Sequence, residues 1–324
     1  MKVAPDEHHG PLNMAGRSLS DEQIADIRRR YAAGESRFSI ANDTGLDRNT
    51  VAKYTAGVAI EGTAAKPTPA TLPASIPQPF IPYSINHPGK WLILSDVHIP
   101  YHDEATVQAA VETAVKEKAV GVVLNGDILD CHELSDFDKE PGAPRYVEER
   151  DKAIQFFTWL RKRLPKALIV YKEGNHEERL GRYVIKRAPA LFGLQCVTLP
   201  SLLELDGFGV EWVAGKRVIK IGHLSAIHGH ELKGGITAPV NPARGFFLKC
   251  KESVIGGHHH QTSEHHEPTL NGKQQAAWST GCACGLNPPY MPINKWNLGF
   301  AMVDLFESGE FSVRNFRFMN GRVV

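Results

Sequence analysis

The chain has 324 residues, with 37 Lys plus Arg against 36 Asp plus Glu and a formal charge of +1. That balance excludes a strongly basic protein that coats nucleic acid by bulk charge, and 42% hydrophobic with 23% charged residues is ordinary globular composition. The longest apolar runs, such as Ala119-Val120-Gly121-Val122-Val123-Leu124, are too short to span a bilayer.

Residues 1–16 are polar, rich in Pro, Gly and His, and expected to be disordered; Asp6, Glu7, His8 and His9 stand where a secretory leader would carry basic and then apolar residues. The expected location is therefore the cytoplasm, with no membrane association. The five cysteines, Cys131, Cys196, Cys250, Cys282 and Cys284, are odd in number and scattered, which suits a reduced chain. Cys282-Ala283-Cys284 is one residue short of a usual zinc half-site. Histidine is the unusual component, at 15 residues concentrated late in the chain.

Three short helices are expected within 17–57. Ser20-Asp21-Glu22-Gln23 is a capping box that opens a helix running to about Ala33, with Gly34 beyond its end. Ser36 opens a second helix that Gly45 ends, and Asp47 caps a third that runs to about Thr55. Residues 58–88 are interrupted by Pro67, Pro69, Pro73, Pro77, Pro79, Pro82 and Pro88 and read as a semi-rigid linker, so 89–324 forms a separate domain. There strands and helices alternate. Trp91 to Ser95, Ala119 to Asn125 and Ala167 to Tyr171 read as buried strands, with helices from Asp103 to Lys118 and Arg145 to Leu164 between them. Connections of this length indicate parallel pairing. Later strands are expected in parts of 208–221, at Ser253 to Gly256, and in a hairpin near 298–318.

In the N-terminal module, Ala41, Gly45 and Val51 have the spacing of a helix-turn-helix: a small residue at the helix contact, Gly in the turn and an apolar lock on the third helix. The segment resembles the helix-turn-helix of site-specific recombinases and small phage regulators. The resemblance implies that the third helix enters the major groove, which nominates Arg48, Asn49, Thr50, Lys53 and Tyr54 for DNA contact. Seven basic and six acidic residues fall within 17–57, so charge leaves open a module that binds a partner protein or only packs.

Asp, Asn and His recur after the strands: Asp96-Val97-His98, Gly126-Asp127-Ile128-Leu129-Asp130, Gly174-Asn175-His176-Glu177, His228-Gly229-His230 and Gly257-His258-His259-His260. The C-terminal ends of parallel strands share one edge, where ligands bind. Asp-x-His is common by chance, whereas four fixed residues such as Gly-Asn-His-Glu arise on the order of once in many thousands of residues. The five blocks in this order resemble the calcineurin-like metallophosphoesterase superfamily over roughly residues 89–262, in particular its phage-encoded members, and their layout is similar to that of DNA-repair phosphodiesterases.

The resemblance implies an α/β fold with a β-sandwich flanked by helices (αββα). It implies two divalent ions, Mn foremost, with Fe, Zn or Ni also suited to carboxylate, amide and imidazole donors. By motif position the first ion takes Asp96, His98 and His260, and the second takes Asn175, His228 and His258. Asp127 bridges them. His176 is the expected general acid and Asp130 orients it. The family's protein phosphatases carry Arg at the position of Cys131, so its loss here favours a diester. Arg179, Arg182 and Lys186 share a helix face beside His176 and are candidates for holding substrate, although Glu178 is placed to pair with Arg182. The remaining histidines divide by position. His230 is expected beside the ligands, His259 to point away, His102, His132 and His223 to be structural, and His265 and His266 to lie on a surface loop. The Lys233-Gly234-Gly235 and Gly281 to Tyr290 segments are expected as pocket-shaping loops. The leading expectation is a metal-dependent phosphodiesterase, a DNA nuclease tethered by its helix-turn-helix. The alternatives are a phosphomonoesterase acting on protein or nucleotide, and a DNA-binding regulator with a non-catalytic phosphoesterase fold.

Overall fold

A computed structural model describes residues 19–61, 72–139, 141–232 and 240–324. The 1–16 tail, residues 62–71 of the expected linker and the Lys233-Gly234-Gly235 loop lie outside the described residues. The chain divides into two compact units, with the boundary in sequence between Gln78 and Pro79.

The first unit holds α1 (Asp21–Ala32), α2 (Arg37–Thr44) and α3 (Arg48–Tyr54). Each begins where a side-chain cap satisfies amides that the helix itself leaves unpaired. Ser20 accepts from the Gln23 amide at 3.2 Å while Gln23 accepts from the Ser20 amide at 3.0 Å. Ser36 caps α2 and Asp47 caps α3. Gly45 ends α2 at φ +68°, a left-handed conformation that costs glycine little. Ile27, Ile40, Ala41 and Val51 form the small core, against which Leu19, Tyr31, Leu46 and Tyr54 pack.

The second unit is a four-layer α/β sandwich. Its strands are β1 (Tyr83–Ile85), β2 (Gly89–Leu94), β3 (Gly121–Asn125), β4 (Leu168–Lys172), β5 (Val210–Val213), β6 (Ile219–Ile221), β7 (Leu224–Ile227), β8 (Val254–Gly256), β9 (Thr262–Pro268), β10 (Gln274–Thr280), β11 (Gly299–Leu305), β12 (Phe311–Met319) and β13 (Arg322–Val323). One sheet runs β13-β12-β11-β2-β3-β4-β5 and the other β1-β6-β7-β8-β10-β9. β2 to β5 are mutually parallel, as are β7 and β8. Trp91, Ile93, Val123 and Val170 of the first sheet pack against Ile219, Leu224, Ala226, Ile255 and Trp278 of the second. The alternate residues Leu92, Leu94, Val122, Leu124 and Ile169 pack on the outer helices α4 (Glu104–Lys116) and α5 (Tyr146–Arg163). The far face of the second sheet is covered by α8 (Pro242–Cys250), through Phe246 and Phe247. Two-period alternation in β2, β3 and β4 thus feeds two cores at once, which is why these strands read as unbroken apolar runs. The remaining helices are α6 (Glu178–Arg187) and the short α7 (Leu199–Leu202). No helix among the described residues is long and apolar enough to cross a membrane.

Two segments depart from the sequence expectation. Tyr83–Ile85 lies within the expected linker yet adds an edge strand parallel to β6. Pro82 and Pro88 flank it, and proline is tolerated at a sheet edge because no ladder donor is needed there. His265 and His266 were expected in a loop but sit on β9, paired to β10. Most of β9 is exposed, so it carries no apolar alternation to reveal it.

Candidate metal centre

The five Asp/Asn/His blocks come from the loops that follow β2, β3, β4, β7 and β8, and the parallel strands deliver them to one edge of the sandwich. The turns there are abrupt. Asp96, His98, Asp127, His258 and His260 all have φ between +50° and +68°, which is uncommon for residues with a Cβ. Glycine supplies the close approaches. A Cβ on Gly126 would lie 2.5 Å from His228 Nδ1, and one on Gly257 would lie 1.9 Å from Ser95 Oγ.

Asp96, Asp127 and His228 are fully or almost fully buried, and their atoms converge. His228 Nε2 lies 3.2 Å from Asp127 Oδ2, 3.2 Å from Asn175 Oδ1 and 4.0 Å from Asp96 Oδ1. His260 Nε2 lies 3.2 Å from Asp96 Oδ1, and His98 Nε2 lies 4.0 Å from Asp127 Oδ2. Donor atoms of Asp127, His228 and His258 lie within 4.8 Å of one another, as do those of His98, Asp127 and His176. The structure therefore brings together all seven residues nominated as ligands, with Asp127 shared between two groups.

The opposite ring nitrogens are anchored. His228 Nδ1 donates to the Asn125 carbonyl at 2.8 Å, and His98 Nδ1 meets Asp130 Oδ1 at 3.0 Å. These bonds leave both Nε2 atoms facing the carboxylates, the arrangement that metal-binding histidines adopt. His98 Nε2 is buried and has no hydrogen-bond partner. A buried polar atom without a partner costs about 1–3 kcal/mol, so this donor set fits a divalent ion placed among the carboxylates.

Electrostatics agree with that fit. Burial alone would raise the carboxyls of Asp96, Asp127 and Asp130, yet the surrounding imidazoles hold all three below the usual range. Burial would lower His228 and His260, but Asp127 raises the first to about 10 and Asp96 raises the second to about 10. His258 goes the other way, pushed down to about 4 by burial and by His228. The pocket of carboxylates demands positive charge, which protons on His228 and His260 supply and which cations would supply equally.

Sequence reasoning missed the groups that hold these loops. The buried Glu177 carboxylate accepts from the amides of Asp127 (2.9 Å), Ile128 (2.8 Å), Leu129 (3.1 Å) and Gly174 (2.8 Å), and from the Tyr171 hydroxyl (2.7 Å). It ties the loop after β3 to the loop after β4. Lys172, wholly buried at the end of β4, lies 2.8 Å from Glu231, which in turn accepts from the His228 amide at 3.0 Å and the Gly229 amide at 2.6 Å. A lysine closing an apolar strand, and a glutamate three residues past His228, were the available signals.

His176 projects beside this cluster. Its amide donates to Asp127 Oδ1 at 2.9 Å, and its Nδ1 lies 2.7 Å from the Asp130 carbonyl and 3.4 Å from Asp130 Oδ1. Burial pushes its pKa down, and the carboxylates of Asp127 and Asp130 override this and raise it. Of the α6 cations, Arg179 turns inward. Its Nη1 donates to the Asp130 carbonyl at 2.8 Å and its Nη2 lies 3.0 Å from His176 Nε2. Arg182 pairs with Glu178, and Lys186 with Asp136. Cys131 is fully buried and its amide donates to the buried Glu149 at 2.6 Å. His230 bonds Glu178 at 2.9 Å, and His259 faces Phe246.

Cys284, absent from the nominated set, is 4% exposed and its Sγ lies 3.9 Å from His260 Nδ1. Donor atoms of His98, His260 and Cys284 also lie within 4.8 Å of one another. His260 thus has sulfur where His98 has a carboxylate and His228 a carbonyl.

In the first unit, Arg48, Asn49 and Lys53 are exposed on α3, while Thr50 and Tyr54 are half-buried. Arg48 lies over the Phe38 ring, and Tyr54 packs on the small core.

No protein-family model matches the chain. Gene 54 protein of Mycobacterium phage D29 is 29% identical over 225 residues, spanning 65% of this chain and 87% of that protein. Among solved structures, Vps29 from Entamoeba histolytica is similar at a TM-score of 0.37 and 16% identity, covering 72% of this chain and 96% of that one. A dimetal phosphatase from Danio rerio gives 0.36 at 14% identity over 68% and 94%. Nuclease MPE from Pseudomonas putida gives 0.35 at 13% identity over 72% and 85%.

Proposed function

We propose that the Pro79–Val324 unit is a two-metal phosphodiesterase acting on nucleic acid, a DNA nuclease, and that the helices of residues 19–57 bind duplex DNA and hold the enzyme on it. The observation that carries the reading is the convergence of five oxygen and nitrogen donors (His98, Asn175, His228, His258 and His260) around Asp96 and Asp127, with the unpartnered His98 Nε2 among them. Asp96, His98 and His260 would hold one ion and Asn175, His228 and His258 the other, with Asp127 between them. Two such ions supply Lewis acidity at a phosphoryl oxygen and lower the pKa of water, and Mn suits these donors. The likeness to a phage gene product agrees with the phage-type motif layout.

The chain's own chemistry is proton delivery and anion binding. His176 Nδ1 is held by Asp130, and Nε2, 3.0 Å from Arg179 Nη2, would carry the proton for the departing alkoxide once that guanidinium turns to the phosphate. The carboxylates of Asp127 and Asp130 favour the protonated ring. Arg179, beside Nε2, is positioned to take a non-bridging phosphate oxygen.

A Mn-supplemented panel of single-stranded DNA, duplex DNA, RNA, and mono- and bis-nitrophenyl phosphate tests this reading. Hydrolysis of the diesters is expected, falling about 10²–10⁴-fold in His176→Ala and becoming undetectable in Asp127→Asn. Full turnover in both variants would sink the mechanism. The inward turn of Arg179 favours a second reading, a phosphomonoesterase, because it returns an arginine to a site whose Cys131 position has none. A strong preference for the mono-nitrophenyl ester would establish it. For the helices, Arg48→Ala combined with Lys53→Ala is expected to weaken duplex DNA binding while nitrophenyl-ester turnover is retained; unchanged DNA affinity removes the tether.

A further inference from the structure

Cys282 and Cys284 take no part in the reaction proposed above, yet the fold presents them as a pair. Cys282 bridges in parallel to Leu298 and Cys284 in antiparallel to His102, with a bend at Ala283 between them. The Cys282 amide donates to the Asn297 carbonyl at 3.0 Å, the Ala283 amide to the Asp96 carbonyl at 3.0 Å and the Gly285 amide to the Tyr101 carbonyl at 2.9 Å. The segment is therefore pinned on both sides, and its thiols are held in place. Cys282 is wholly buried and Cys284 is 4% exposed.

Both thiols meet the His260 ring. Cys284 Sγ lies 3.9 Å from Nδ1, and Cys282 interacts with this imidazole and with the Cys284 thiol. The other ring nitrogen, Nε2, lies 3.2 Å from Asp96 Oδ1. One imidazole thus presents a nitrogen to each of two donor groups, hard carboxylates on one side and soft sulfur on the other. Burial of a single thiol is ordinary packing. Two thiols gathered on an imidazole nitrogen have the make-up of a chelate. A tetrahedral Zn²⁺ with Zn–S of about 2.3 Å and Zn–N of about 2.0–2.1 Å holds its sulfur and nitrogen about 3.6 Å apart. The 3.9 Å between Cys284 Sγ and His260 Nδ1 needs only a small closure to reach that. Polar demand on this side is unmet as well: His102, directly opposite Cys284 in the bridge, has a buried Nδ1 without a hydrogen-bond partner. The Cys-x-Cys spacing is one residue short of a zinc half-site in sequence, and the loop after β8 brings the donor it lacks. Ligand softness then assigns the ion, because thiolate with imidazole favours Zn²⁺, whereas carboxylate, amide and imidazole suit Mn²⁺.

We propose that Cys282, Cys284 and His260 Nδ1 form a third cation site, specific for a soft dication of the Zn²⁺ class, which shares the His260 ring with the two-metal centre. The inference uses the two-metal reading only for the ion on Nε2. On loading, both thiols and Nδ1 give up their protons to solvent, the two sulfurs and the nitrogen bind the ion, and water fills the fourth tetrahedral position. The ring then bridges a soft and a hard ion, so that the two-metal centre senses Zn²⁺ through a ligand of its own.

The test uses the full-length, reduced protein saturated with Mn²⁺ and then titrated with Cd²⁺, a spectroscopic substitute for Zn²⁺. Thiolate-to-metal charge-transfer absorption in the ultraviolet follows binding, and metal analysis after desalting counts ions of all kinds. A band that saturates at one Cd²⁺ per chain, with three ions in total, is expected. Cys282→Ala, which leaves Cys284 against His260, should abolish the band and lower the total to two, and Cys282→Ser should do the same. Cys196→Ser, at an exposed cysteine, should leave both readouts intact. X-ray absorption of the Zn²⁺-loaded parent gives a check that needs no variant, with two sulfur neighbours expected at about 2.3 Å. Absence of the band, together with only oxygen and nitrogen neighbours around Zn²⁺, overturns the proposal. A band with two ions in total also overturns it, because the thiols are then ordinary ligands of the two-metal centre. A Cys282-dependent band with one ion in total keeps the thiol site and removes the two-metal reading.

Discussion

Replacing Glu177 with glutamine tests whether the metal centre is organised by the protein. The carboxylate accepts three hydrogen bonds at Oε1 and two at Oε2. A carboxamide keeps one acceptor oxygen and puts an NH₂ where the other was. With its oxygen toward Ile128, Leu129 and Tyr171, the NH₂ faces the amides of Asp127 and Gly174, and two buried donors lose their partner. Each unsatisfied donor costs about 1–3 kcal/mol, which gives a destabilisation of about 2–6 kcal/mol for Glu177→Gln. In a domain of this size that corresponds to a drop of about 4–24 °C in the main unfolding transition. The assay is thermal unfolding in chelator, which removes any contribution from bound ions. The same substitution displaces Asp127, so it should also weaken Mn²⁺ binding. A midpoint within about 2 °C of the parent, well below the shift expected from two unpaired amides, would refute the organising role of this carboxylate.

Other outcomes follow from neighbouring groups. Lys172→Met should cost about 3–5 kcal/mol, because Glu231 would be left buried without its partner. Burial alone would raise Glu231, but Lys172 holds it at about 2; this depressed value contributes about 3 kcal/mol that is complete above pH 4.5 and disappears as pH falls through 2, so acid-unfolding curves of parent and variant should converge there. Glu149 is shifted the opposite way, to about 8, chiefly by burial, so stability is full below pH 4.5 and declines as pH rises through 8. Glu149→Gln should flatten that decline, by on the order of 4 kcal/mol, in denaturant titrations from pH 5 to 9; an unchanged slope would count against it. With His228 and His260 at about 10, loading ions at pH 7 should release about two protons, measurable by calorimetry in buffers of different ionisation enthalpy; a release near zero would show that these imidazoles are neutral before the ions bind and would refute the raised pKa values. Cys284→Ser should weaken one of two bound ions about 10–100-fold through His260, and two equally tight ions by metal analysis would contradict that.

Legibility in the sequence followed a simple physical division. β2, β3 and β4 carry unbroken apolar runs and each ends in a block of metal-capable residues, so both the parallel sheet and the cluster could be read in chain order. The caps at Ser20, Ser36 and Asp47 were legible for a related reason: a cap acts within three residues, and local chemistry leaves a local mark. What stayed hidden depends on contacts remote in sequence. Glu177 binds amides about fifty positions away, and Cys284 lies against a ring twenty-four positions earlier. β1 and β9 are edge strands that bury little, so neither imposes an apolar period. The shared helix face expected for Arg179, Arg182 and Lys186 follows from spacing, but spacing does not show that carboxylates of Glu178 and Asp136 engage the latter two and leave Arg179 facing the site.

The backbone of the site explains why so much buried polar structure surrounds it. Asp96, His98, Asp127, His258 and His260 hold positive φ, a conformation that costs on the order of 1–3 kcal/mol at each residue and persists only where neighbours over-determine it. The neighbours are identifiable. Glu177 fixes the Asp127 turn and Glu231 the His228 turn. The His258 amide donates to both oxygens of Asp96, which also receives the Ser95 hydroxyl at 2.6 Å. These bonds offset the backbone strain, and they hold donor atoms within a few ångströms of one another. With the turns held by these protein groups, chelation is expected to empty the centre without unfolding the sandwich. That separates it from small metal-nucleated domains, in which removal of the ion and loss of the fold are the same event.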